Sequence, residues 1–588
     1  MDLDPTSNGE TFKLLLYSLT GVEPDRQKVL IKGGQLKDDT ELSTLNAKPG
    51  QTFMMMGTAS VDAAVITAPK EKIKFMEDMT DAEAAKLEGA IPAGLQNLGN
   101  TCYLNSTLQV LRSVPELQED LAVYKPSPAN GGANSLQNLS QFGLGGIGSS
   151  TDLTASLRDL YKEMSETQEG FPPLMFLNAL RTAFPQFAQK SKTGHGYAQQ
   201  DAEEAWSEIV SQLRQKLKIV DPNDSTKTQP SFVDRYLAGS FSSVLAPPPE
   251  AAEKEKSVKT SESFLKLDCH IHHNTNHLRD GILAGLSSQI EKRSDTLDRD
   301  ATYTKTSQIS RTPKYLTVHF VRFFWKRDSQ KKAKIMKKVT FPAELDVVEF
   351  CTDELKKQLI PVRDKVREIR KDEQDVERAR KRQKLAHKQE EDRKAEADRM
   401  DVEAAPIKKA QEAKERKEAE ASGKPQEAAT SDVDVYKTDA EYEAERTASI
   451  KAAKKELYAA IDPVLMADEG ANKSGLYELR GVITHQGASA DSGHYTSYVK
   501  KTARIVDDPT APGGKRKEDD GKWWWFNDDK VSEVEAEKIE TLSGGGKAHP
   551  ESLLTANLMT NFSLGESHSA LILLYRAIDL PTKDEIED

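Results

Sequence analysis

Between Glu10 and Thr20 the apolar residues Phe12, Leu15, Leu16 and Leu19 recur at the spacing of a helix, and Gly21 follows where a C-cap belongs. The period then changes. Lys28–Lys32 (KVLIK) and Thr52–Met55 read as short strands, the first turned by Gly33-Gly34 and the second preceded by Pro49-Gly50. A helix followed by short strands predicts a small α+β module over residues 1–57. Residues 58–91 lose this periodicity and fill with Ala, Lys and Glu, the pattern of a linker with some helical character.

From Pro92 onward both periods occur together. Helical patterns run over 102–114 and 201–217, and strand patterns over 314–325, 476–485, 494–500, 522–527 and 570–576. The expectation is one large α+β domain over 92–580. Two stretches interrupt it. Ser127–Ser150 is rich in Gly, Ser and Asn and reads as a flexible loop. Residues from about 363 to 455 are dominated by Lys, Arg, Glu, Asp and Ala, which cannot bury a core, so this run reads as an inserted solvated coil or long charged helix.

Composition agrees with a chain that is only partly packed: of 588 residues, 30% are charged and 6% aromatic. The formal net charge of −12 argues against a nucleic-acid binder, which needs a basic face. The basic run RARKRQK at 378–384 is read as a charged helix face before a nuclear signal. No stretch approaches the roughly 18 apolar residues of a membrane span, and the polar start excludes a signal peptide. The expected setting is intracellular. Cys102, Cys269 and Cys351 are too scattered for a disulfide framework or a cysteine zinc site, so no metal and no cofactor is expected.

Cys102 is the residue that carries chemistry. It lies in GLQNLGNTCYLNSTLQVL (94–111), where Leu104, Leu108 and Leu111 make an amphipathic helix that starts at the cysteine. A helix N-terminus favours thiolate, the nucleophilic form. A lone cysteine is ordinarily a small buried hydrophobe. Such a residue has no need of Asn97, Gly99, Asn100, Thr101 and Asn105 around it, whereas a nucleophile needs donors for an oxyanion and close backbone approach. The matching base is His494 in SGHYTSYVK, at the opening of a strand, and Asn527 and Asp528 close the aromatic strand WWWFNDD as its orienting partners.

These boxes, together with QQDAEEAW at 199–206 and YLTVHFVRF at 315–323, resemble the ubiquitin-specific proteases in order and spacing over about 92–576, outside the charged run. The resemblance implies a papain-like catalytic fold and a thiol-dependent hydrolase that cleaves after ubiquitin's terminal glycine through a thioester. It implies Cys102 as nucleophile, His494 as general base and then acid, and Asn527 as its orienting residue, with Asp528 a second-ranked assistant. Asn97 and the Cys102 backbone N–H would form the oxyanion hole. The ubiquitin contacts it implies are Gln200, Asp201, Glu204 and Tyr495, the two carboxylates facing the arginines of ubiquitin's tail. The segments Gly487–Gly493 and Arg322–Lys334 resemble loops that cover the catalytic groove until a partner moves them.

Residues 1–57 resemble a ubiquitin-like β-grasp module that lacks its first strand, which would leave Leu14 and Leu16 partly uncovered; a true start upstream of Met1 is the expectation. This pairing of domains resembles the family's proteasome-associated branch. It implies docking on the 26S proteasome regulatory particle through that module, in cytoplasm and nucleus, with no nucleic acid or membrane as partner. An insertion-like segment covers 547–568. The rival readings are a mainly non-catalytic ubiquitin-binding regulator of the proteasome and a hydrolase of another ubiquitin-like tag.

Overall fold

The computed structural model describes residues 7–20, 22–31, 34–45, 53–57, 80–85, 90–126, 152–191, 196–219, 230–326, 331–376, 378, 382, 439–489, 492–507, 515–543 and 568–583. It divides into two units, 1–80 and 81–588.

In the first unit the helix α1 (Gly9–Thr20) packs on a three-stranded antiparallel sheet of β1 (Lys28–Ile31), β2 (Gly34–Gln35) and β3 (Met54–Met56), in the order β2-β1-β3. Phe12, Val29, Leu36 and Leu42 form its core, with Leu16 and Met55 against them. Lys13 is buried with the helix and pairs with Asp38 at 2.7 Å, while Gln27 donates to the Lys13 and Val22 carbonyls. The helical stripe read from the sequence rotates in the fold. Phe12 and Leu16 face inward, but Leu14, Leu15, Tyr17 and Leu19 are exposed. The expected loss of an opening strand concerns residues outside those described, as do 58–79 of the linker.

The second unit is built on an eight-stranded sheet. Its strands are β6 (Leu267–His270), β9 (Tyr315–Val321), β12 (Glu344–Asp346), β13 (Leu476–Ser489), β14 (Ser492–Lys500), β15 (Trp523–Asn527), β16 (Lys530–Val534) and β17 (Ser569–Ala577). The order is β16-β15-β14-β13-β17-β9-β6, with β12 on β13. Strand alternation sends Ile483, Tyr495 and Phe526 to one face and Val482, Tyr498 and Leu573 to the other.

The first face meets helices α2 (Cys102–Arg112), α3 (Pro115–Val123), α4 (Leu153–Met164), α5 (Leu174–Ala183) and α6 (Ala202–Lys216). Gly481 lets α2 lie flat on the sheet, since a Cβ there would come 2.7 Å from Val110. A separate four-stranded sheet, β4 (Gly239–Ala246), β5 (Val258–Phe264), β7 (Ser287–Ser294) and β8 (Arg299–Arg311), projects largely exposed side chains. After β9 a hairpin of β10 (Phe323–Lys326) and β11 (Lys331–Lys334) follows.

The charged run differs from its sequence reading at both ends. A helix over 353–376, α7, buries Leu355, Leu359, Val362, Val366 and Ile369 in the second core. The helix α8 (Asp439–Ala460) adds Leu457, and Lys365–Glu456 and Lys454–Glu373 ion pairs tie the two together. Their apolar residues come every third or fourth position, so a core stripe hides among the charges. Most of 377–438, including the basic run at 378–384 apart from Arg378 and Arg382, lies outside the described residues, as do 127–151 and 544–567.

Candidate active site

The loop before α2 is shaped by one side chain. Asn97 Oδ1 accepts from the N–H of Gly99 at 3.0 Å and of Thr101 at 3.2 Å, and the chain turns through left-handed Gly99 (φ 96°) and Asn100 (φ 56°). The turn delivers Cys102, 3% exposed, to the first helical position. Its sulfur accepts a hydrogen bond from the Tyr495 backbone, so it rests against the residue that follows His494 on β14.

The acidity of this thiol is opposite to that read from the sequence. Burial pushes Cys102 up to about 11; the Tyr495 backbone and, more weakly, the Tyr103 and Cys102 N–H groups at the helix N-terminus pull the other way and lose, and the Asp528 carboxylate raises it further. With its acidity lowered in this way, Cys102 rests as a neutral thiol.

His494 opens the strand that meets this thiol. His494 Nε2 lies 2.6 Å from Asn527 Oδ1 at the end of β15. An amide oxygen only accepts, so Nε2 holds the proton and Nδ1 carries the lone pair. Asn527 therefore fixes both the tautomer and the ring orientation.

Asp528 does something other than assist His494. It does not continue the strand but opens the following turn in the left-handed region (φ 53°). Its Oδ2 accepts from Asn97 Nδ2 at 3.0 Å and its Oδ1 from Asn105 Nδ2 at 2.8 Å. Both carboxylate oxygens thus hold amides of the cysteine loop and helix. The turn is pressed against that loop: Leu95 N–H donates to the Asp528 carbonyl, and a Cβ on Gly94 would fall 2.4 Å from the Asp529 carbonyl oxygen. Asn97 Nδ2 keeps a second amide hydrogen that the bond to Asp528 does not use.

The four predicted ubiquitin contacts separate. Asp201 caps α6 by accepting from the Glu203 N–H at 3.0 Å, and Glu204 is partly buried near Tyr103. Gln200 turns its amide nitrogen into the interior. Tyr495 is a correction: its ring is 1% exposed and packs 4.6 Å from His485, because position 495 faces the helical core while its backbone faces the sulfur. No side-chain contact with ubiquitin is left to it.

The residue missed is Gln199. Its Nε2 donates to the Gly493 carbonyl at 3.0 Å and lies 3.9 Å from the Cys102 sulfur, bridging cysteine helix and histidine strand. The signal was available in the capping. With Asp201 as N-cap, 199 and 200 form an extended approach whose side chains alternate, one toward the groove and one inward. Among the described residues no cluster of His, Cys, Asp or Glu is placed to hold a metal ion. None of their helices is long and apolar enough to cross a membrane.

Comparison with known proteins agrees in extent and order. A model of the family described as "Ubiquitin carboxyl-terminal hydrolase" matches residues 93–575, and one described as "Ubiquitin family" matches 1–60. Ubiquitin carboxyl-terminal hydrolase 6 of Schizosaccharomyces pombe is 39% identical over 580 residues, covering 99% of this chain and 97% of the relative. Ubiquitin carboxyl-terminal hydrolase 7 of Arabidopsis thaliana is 35% identical over 503 residues, covering 85% and 87%. Ubiquitin carboxyl-terminal hydrolase 14 of Caenorhabditis elegans is 28% identical over 583 residues, covering 98% and 91%.

Proposed function

Because the chain belongs to the ubiquitin carboxyl-terminal hydrolase family, and so is a cysteine-dependent ubiquitin protease with an N-terminal ubiquitin-like domain, we propose that it removes ubiquitin from conjugates at the 26S proteasome. The carrying observation for the chemistry is the meeting of Cys102 with the His494 strand while Asn527 holds His494.

His494 Nδ1 takes the Cys102 proton as the sulfur attacks the carbonyl carbon of ubiquitin's terminal glycine. The free amide hydrogen of Asn97 and the Cys102 N–H stabilise the resulting oxyanion. The imidazolium then protonates the departing amine, which is a lysine ε-amine in an isopeptide or an α-amine in a peptide. A thioester remains. Water, deprotonated by His494, cleaves it and returns ubiquitin with a free carboxylate and the enzyme with its thiol.

Proteasome docking is assigned to residues 1–57, and cytoplasm and nucleus follow as the places of action. Support comes from the ubiquitin-family match and from the outer face of the small sheet, where Leu30, Met54 and Met56 are exposed beside Lys28. Such a patch is what a partner-binding module offers. Deleting 1–57 should abolish co-purification with proteasomes and leave basal hydrolysis of ubiquitin conjugates intact. Persistent co-purification would move the docking surface to the catalytic domain.

A further inference from the structure

His485 is a second histidine beside the catalytic one and plays no part in the mechanism above. It is fully buried, pairs with Tyr495 across β13 and β14, and packs 5.3 Å from Phe323 and 4.6 Å from Tyr495. Its ring lies beneath the backbone just before His494: a Cβ on Gly493 would fall 2.7 Å from His485 Nε2. Both chain neighbours of His494 therefore rest on His485. Gly493, at φ 124°, tolerates no side chain there, since the same Cβ would also meet the Gln486 carbonyl at 2.1 Å.

The other side of His485 is held by the hairpin. Lys334, 7% exposed, donates from Nζ to the His485 carbonyl at 2.6 Å and to His485 Nδ1 at 3.1 Å. Burial first, and the Lys334 ammonium next, push His485 down to about 3, with His568 and His494 adding the same sign. The ring is neutral and Nδ1 is an acceptor. The base of the hairpin is equally fixed. Buried Arg322 donates to the carbonyls of Ala570 at 2.8 Å, Lys337 at 2.9 Å and Ser543 at 3.2 Å.

We propose that Lys334 and His485 form a latch through which the β10–β11 hairpin fixes the catalytic histidine, a positioning pair that acts on His494 through Gly493 and Tyr495. The pair touches neither the reacting atoms nor the sulfur. A hairpin that lifts must break the lysine's two bonds to His485, so its position is transmitted to the base rather than merely opening or closing the groove.

The inference rests on hydrolysis by Cys102 and His494, and the test separates the two. Steady-state cleavage of a ubiquitin C-terminal amide is measured for the wild type, Lys334→Met, His485→Gln and the double variant, with thermal melting to confirm folding. Lys334→Met should lower kcat about 10 to 100-fold with KM unchanged, the penalty of a small misplacement of a reacting group. The double variant should lose no more than the worse single variant, because the two residues act as one unit. A folded Lys334→Met with wild-type kcat, a loss confined to KM, or additive losses would overturn the latch. Should Lys334→Met not fold, His485→Gln is compared with the wild type in its place: a lower kcat at unchanged KM supports the latch, and a wild-type kcat or a loss confined to KM overturns it. An inactive wild type would instead overturn the hydrolase reading itself.

Discussion

Asn97 has two amide hydrogens, and Asp528 takes one of them. The other is aimed by that bond and by the Asx turn through Asn97 Oδ1. Asn97→Ala should therefore lower kcat about 10 to 1000-fold with the fold intact. Asp528→Ala should reproduce part of this loss, and where its contribution runs through the Asn97 amide the double variant should be no worse than the worse single variant. Additive losses in kcat would instead give Asp528 a route independent of Asn97, through Asn105 or to His494. Asp201 needs a different substitution, because reversing its charge would also remove the α6 cap, which is worth about 0.5–2 kcal/mol. Asp201→Asn keeps a capping oxygen and loses the charge. If Asp201 reads the arginines of ubiquitin's tail, this variant should raise KM for ubiquitin substrates at unchanged melting temperature; an unchanged KM would remove the contact. That Cys102, His494, Asn527, Asn97 and Asp528 belong to one neighbourhood was legible because glycines and asparagines crowd around a lone cysteine without a packing reason. Gln199 was missed and Tyr495 misplaced because their facing depends on the extended approach to α6 and on strand register, which residue type does not encode.

At the scale of elements, the strands around His494 were legible as runs of aromatic and β-branched residues bounded by Gly and Asn. The stripe on α1 was not: Leu15 and Leu19 share the helical spacing with Phe12 and Leu16, yet only the latter two meet β1 and β3. Composition also concealed the core stripe of α7. Val366 and Ile369 sit among Arg363, Lys365, Arg367 and Arg370, and a window average sees only the charges. Ile369→Ala should cost about 2–5 kcal/mol, measured as a lower urea midpoint at unchanged slope. A midpoint within error of the wild type would mean that this helix is peripheral after all. The hairpin of β10 and β11 is concealed in the same way. It reads as a surface loop, but Arg322 and Lys334 at its two roots are buried.

Across the whole molecule, two units with separate cores agree with two family matches that divide the chain at nearly the same place. The catalytic unit brings together residues almost four hundred positions apart because α2 lies flat on β13 at Gly481 and the turn after β15 locks onto Gly94. Burial in this arrangement pushes the Cys102 thiol up, so under the proposed mechanism its reactivity should depend on His494 rather than on a standing thiolate. The most direct test is to mix the purified chain, with and without proteasomes, with ubiquitin bearing a C-terminal thiol-reactive group, and to map the adduct by mass spectrometry. A single adduct on Cys102, absent in His494→Ala and formed faster with proteasomes, is the predicted result. An adduct on Cys269 or Cys351, or none from folded protein under either condition, would contradict it.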